Sequence, residues 1–196
     1  METTDSRTVN IYLEANPNPN SLKFVANFML VSEGQNFDFP DLESAKEAPL
    51  AAELFQYDYV KRVFYMSNFV TITKAEGVEW IEIQEELKQH IKGYLESEKP
   101  LLTENYAPIE EKVESTEADP EIVEKIKSIL DEYVKPAVEQ DGGAIGFYSF
   151  EEGIVTVTLQ GSCSGCPSST LTLKSGIENL LKRMLPEVKS VEAIGL

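Results

Sequence analysis

Histidine is nearly missing from this sequence of 196 residues, which has His90 and no other, and cysteine is confined to Cys163 and Cys166. One imidazole excludes every mechanism that needs two, and with them a His-rich metal site. Two cysteines separated by two residues are too few for the disulfide framework of a small secreted domain. In a reducing compartment that spacing points to metal or redox chemistry. Basic residues are scarce as well: 17 Lys and Arg face 34 Asp and Glu, a formal charge of −17. Without a Lys/Arg surface nothing neutralises phosphates, which argues against nucleic acid as a partner. No apolar run approaches the ~20 residues of a membrane span. The first ten residues mix Glu2, Asp5 and Arg7 without an apolar segment, so they read neither as a secretory signal nor as an Arg-rich, acid-poor transit peptide. The expected setting is soluble, reducing and cytoplasmic, in a bacterium.

Apolar residues make up 42% of the chain, enough at this length for one or two modest cores. Composition shifts once. Over residues 104–119, Glu104, Glu110, Glu111, Glu114, Glu117 and Asp119 stand against the lone base Lys112. With Pro108 and Pro120 close by, this stretch reads as a flexible acidic linker that buries too little to order itself. It separates two small domains, 1–103 and 120–196, both of α/β (α+β) type. In the first, strands are expected at Val9–Leu13 and Ser21–Val31 around the turn Asn16-Pro17-Asn18-Pro19-Asn20. A helix over Ser44–Gln56 follows, capped by Asp41 or Ser44, then strands at Val60–Met66 and Phe69–Lys74 joined at Ser67-Asn68, and a helix over Trp80–Leu95. The second domain opens with a helix over Glu121–Glu139 whose face carries Ile122, Ile126, Ile129, Tyr133 and Ala137. Asp141-Gly142-Gly143 ends it as a C-cap. A hairpin of Ala144–Phe150 and Ile154–Gln160, a helix over Pro167–Met184 and a strand over Val188–Ile194 complete the order α-β-β-α-β. Phe147, Tyr148 and Phe150 read as core or hairpin packing.

The chemistry gathers between the last hairpin and the last helix, at Gly161-Ser162-Cys163-Ser164-Gly165-Cys166-Pro167. Two-residue spacing lets both sulfurs converge on one centre while the backbone turns around it. Gly161 and Gly165 allow backbone angles and approaches that a Cβ hinders. Pro167 suits the first position of a helix, whose free N–H groups are expected to lower the thiol pKa. Ligand count is the difficulty, because a closed zinc or iron–sulfur site normally takes about four strong ligands. One chain offers two, and His90, on a helix of the other domain beside Gln89 and Lys92, is a poor third. The residues point either to a site shared by two copies about a two-fold axis or to a dithiol without metal.

Asp141-Gly142-Gly143, the run from Leu159 to Ser169, and Thr172-Leu173-Lys174-Ser175-Gly176-Ile177-Glu178 closely resemble the NifU-like C-terminal (Nfu) domain. Asn16 to Phe24 and Asp38-Phe39-Pro40 are similar to the N-terminal domain of Nfu-type proteins. The resemblance implies a non-enzymatic iron–sulfur cluster carrier in which two subunits hold one cluster, usually [4Fe-4S], through their Cys-x-x-Cys pairs. Cys163 and Cys166 are then the metal and cluster ligands. Four thiolates serve [2Fe-2S] clusters equally well. The implied partners are apo iron–sulfur proteins as acceptors, an upstream scaffold or A-type carrier as donor, and a second copy joined through the cluster. Residues 1–103 would then recognise targets. A dithiol oxidoreductase and a zinc-bridged structural dimer are the competing functions. The family's eukaryotic members carry a transit peptide that the first residues here do not resemble, which favours a bacterial member.

Overall fold

The computed structural model describes residues 8–106, 119–164 and 167–195, without the side chains of 167–169. Cys166 and most of the expected linker lie outside the described residues. Two compact units form, the first built from residues before the linker except Asn16–Asn18, which group with the second, built from those after it.

The first unit runs β1 (Ile11–Ala15), β2 (Ser21–Ala26), β3 (Asn36–Phe39), α1 (Pro49–Leu54), β4 (Val60–Met66), β5 (Phe69–Lys74) and α2 (Trp80–Glu96). The strands make one antiparallel sheet in the order β1-β2-β5-β4-β3. Register places Leu22, Phe24, Val63, Tyr65, Val70 and Ile72 on one face. They are buried in one cluster with Leu50 and Leu54 of α1 and Ile83, Leu87 and Ile91 of α2. Each such side chain contributes about 1.5–3 kcal/mol on burial, so strand alternation and helix periodicity are satisfied together. Charges on the alternate positions are paired: Lys23 Nζ lies 3.0 Å from Glu14 Oε2, and Arg62 Nη1 2.9 Å from Asp38 Oδ2. Tyr106 packs edge-on against Phe37 and Phe39, at ring distances of 5.3 and 6.2 Å.

Three expectations change here. The helix expected from Ser44 begins only at Pro49. Asp41 Oδ1 accepts from the Ser44 N–H (2.8 Å) and Ser44 Oγ donates to the Asp41 carbonyl (2.7 Å), a local turn that competes with helix. Pro49 also biases Ala48 away from helical angles. The second strand stops at Ala26, because Leu30 and Val31 donate instead to the Ser67 carbonyl, at 2.7 and 3.1 Å. The four-residue strand β3 had not been expected.

The second unit runs α3 (Pro120–Ile129), a π-helical turn (Leu130–Val134), α4 (Lys135–Gln140), β6 (Gly143–Glu151), β7 (Ile154–Gly161), α5 (Pro167–Met184) and β8 (Ser190–Gly195). Strand β7 pairs antiparallel with β6 and parallel with β8, and α5 is the crossover that a parallel pair requires. Asp119 Oδ1 caps α3 by accepting from the Glu121 N–H at 3.0 Å. The helix expected as one piece over 121–139 is therefore interrupted. Pro136 has no N–H, and its ring would strike the Glu132 carbonyl in a regular α-helix. The chain widens instead, with the Lys135 N–H donating to the Leu130 carbonyl five residues back, a one-turn π-bulge. The extra residue rotates the buried stripe to Val123, Ile126, Ile129, Leu130, Val134 and Val138. Tyr133, expected on that face, is 51% exposed, and Ala137 is exposed too. Phe150 joins the core, while Phe147 is half-buried beneath the Lys127 ammonium, 5.6 Å from its ring centre.

Candidate metal centre

Strand β7 ends at Gly161, whose φ of +63° turns the chain out of the sheet, an angle that favours glycine. The Ser164 N–H donates to the Gly161 carbonyl at 3.2 Å, closing a four-residue turn with Cys163 third. The end of α4 grips this turn. The Gly142 N–H donates to the Glu139 carbonyl at 3.0 Å, and Gly142 has φ +82°, as expected of a helix terminus. Beyond capping, the Gly142 carbonyl accepts from the Ser162 N–H (3.2 Å) and the Asp141 carbonyl from Ser162 Oγ (2.5 Å). Glycine at 143 is demanded by contact. In register it faces Gly161, and a Cβ there would stand 2.6 Å from the Gln160 carbonyl oxygen and 2.8 Å from Cys163 Sγ. On the far side of the turn, Thr170 Oγ1 in α5 donates to the Cys163 carbonyl at 3.3 Å.

Cys163 is 8% exposed and belongs to the second unit's core cluster. Burial pushes its thiol up to about 11; the Ser162 hydroxyl pulls it down and the Asp141 charge raises it further. The lowered thiol pKa expected at the start of a helix is thus reversed at Cys163, because desolvation of the thiolate outweighs the donors available to it. Cys166 lies outside the described residues. His90 is in the first unit, with Nδ1 3.0 Å from Tyr57 Oη and Nε2 3.1 Å from Glu53 Oε2, so both ring nitrogens are engaged. Among the described residues no group of three His, Cys, Asp or Glu side chains could hold a metal ion. The Asp141–Gly143 segment is thus seated against Cys163 as well as capping a helix. That Gly143 lies opposite Gly161 follows from the β6–β7 register.

A buried thiol at the end of strand β7, in a chain of two α+β units, defines a thiol-bearing α+β protein. The family model for the NifU-like domain matches residues 126–192, and that for the scaffold protein Nfu/NifU N terminal matches residues 11–98. "NFU1 iron-sulfur cluster scaffold homolog, mitochondrial" from Drosophila yakuba is 41% identical over 99% of this chain and 68% of its own length. The protein of the same name from Drosophila sechellia is 42% identical over 96% of this chain and 66% of its own. A solved NifU-like protein from Saccharomyces cerevisiae superposes with a TM-score of 0.45 at 23% identity, covering 54% of this chain and 93% of that one. The chain belongs to the Nfu/NifU family of iron–sulfur scaffold proteins, and spans about two thirds of the length of these fly relatives. Those relatives are mitochondrial by name, so they lend no support to a bacterial cytoplasm. Among the described residues no helix is long and apolar enough to cross a membrane.

Proposed function

We propose that this protein carries an iron–sulfur cluster as cargo, holding it between two copies and passing it to apo-proteins. The observation that supports this most is Cys163 held at the Gly161–Ser164 turn, with Cys166 beyond two intervening residues in the sequence. Cys163 and Cys166 of each copy would supply four thiolates, a complete set for a [4Fe-4S] cluster or, with the same donors, a [2Fe-2S] cluster. The protein then works by binding and release, and turns no substrate over. Loading displaces the thiol protons, and a reducing compartment, such as a bacterial cytoplasm, keeps both sulfurs available. An upstream scaffold or A-type carrier would donate the cluster, and residues 1–103 would recognise the acceptors. The acidic stretch 104–119 would tether the two activities. A short flexible tether gives an effective concentration of about millimolar, enough to matter for a weak encounter.

Anaerobic reconstitution with iron and sulfide tests the reading. The expected product is brown, with broad visible absorption, iron and sulfide in cluster ratio per dimer, and a sedimentation coefficient that rises from monomer to dimer on loading. Cys163→Ser and Cys166→Ser should each abolish stable uptake while the far-ultraviolet dichroism of the chain is kept. A full cluster on a monomer would overturn the shared site. A colourless product holding zinc, or a dithiol cycling without iron, would replace the carrier by one of the two competing functions.

A further inference from the structure

Nothing metallic is needed to explain how firmly Cys163 is placed. The peptide on its N-terminal side is fastened to the α4–β6 turn, where buried Ser162 donates through Oγ to the Asp141 carbonyl at 2.5 Å and through its N–H to the Gly142 carbonyl at 3.2 Å. The carbonyl on its C-terminal side is fastened to α5 by Thr170 Oγ1 at 3.3 Å. A threonine hydroxyl inside a helix ordinarily bonds the carbonyl three or four residues back; this one reaches seven back, into the turn. Between the two ties the sulfur rests on the bare backbone of Gly143. A ligand delivered by a loose loop must be ordered as it binds, and fixing it beforehand removes that cost.

We propose that Ser162 and Thr170 are positioning residues that seat Cys163 before any cluster arrives, each hydroxyl tying down one side of the ligand. The proposal rests on the carrier reading only in taking Cys163 as a ligand. It is tested on the full chain carrying Cys166→Ser, free of cluster, so that Cys163 is the one thiol. Iodoacetamide should label it at least about tenfold more slowly in the native chain than in the same chain unfolded in urea, since a seated thiol reacts through local opening. Thr170→Val and Ser162→Ala should each speed native labelling about fivefold, the effect of one lost hydrogen bond, and Thr170→Ser should restore the parental rate. In the chain with both cysteines, reconstituted anaerobically, Thr170→Val should change the visible circular dichroism of the cluster and Thr170→Ser should return it.

Parental labelling rates in both hydroxyl-less variants would overturn the proposal, as would equal labelling of native and unfolded chain or an unchanged cluster spectrum in Thr170→Val. The two substitutions remove separate ties, so if one variant fails to fold, the other decides. Labelling is read without iron. A chain that labels as expected yet takes up neither iron nor sulfide overturns the carrier reading alone.

Discussion

Cys163 holds its proton more firmly in the folded chain than in the unfolded one, because burial pushes its thiol up to about 11 from an ordinary value near 8.5. The cysteine Cβ chemical shift of a cluster-free Cys166→Ser chain should therefore titrate near 11 when native and near 8.5 in urea. A raised folded-state value stabilises below the unfolded value, and that stabilisation is lost as pH rises through the folded one. The second unit should accordingly melt lower at a pH of about 10.5 than at about 8, with a smaller fall in Cys163→Ser; equal falls would assign the effect to other groups. The Cys163–Cys166 spacing stands out in the sequence, with Gly161 beside it. The ties do not. Gly143 touches Cys163 only because the β6–β7 register pairs 143 with 161, and Thr170 reaches Cys163 only because α5 starts where it does. Such contacts depend on geometry that no residue type announces.

Helix α5 follows the turn that carries Cys163 and packs into the core, and its two faces should respond differently to truncation. Leu181 is fully buried while Leu171 is 66% exposed. Leu181→Ala should cost about 2–5 kcal/mol in urea unfolding of the second unit, and Leu171→Ala less than about 0.5 kcal/mol. Similar losses from both would mean that the outer face of α5 is covered in solution. Its bounds, Pro167–Met184, were readable because proline starts it and a long apolar repeat fills it. Both strands of the β4–β5 hairpin were readable for the same kind of reason, an alternating pattern broken by Ser67-Asn68. Elements went unread where a tertiary or local competitor intervened. Strand β3 has four residues, and only its pairing with β4 makes it a strand. Pro136 was visible in the sequence, but its consequence, a π turn that moves Tyr133 off the buried stripe, follows from where the widened hydrogen bond falls.

Each of the two hydrophobic clusters draws all its residues from its own side of the linker, so the chain has two cores and no shared one among the described residues. Residues 120–196 alone should therefore fold cooperatively and, on the carrier reading, take up cluster as the full chain does. What the shorter piece should lose is selectivity, read as transfer rates to several apo-acceptors. Equal rates from both for every acceptor would leave residues 1–103 without the recognition role proposed for them. The strand order of the first unit also sets a sequence of events in time. One pair joins β2 to β5, so that Lys74 Nζ meets Asn20 Oδ1 from 54 residues away, while the β1–β2 and β4–β5 pairs are closed by short turns. Distant pairings form late because a long loop must close first. The first unit should thus assemble as two hairpins that zip together along β2 and β5, and in pulsed hydrogen exchange during refolding the amides of that seam should be the last to gain protection.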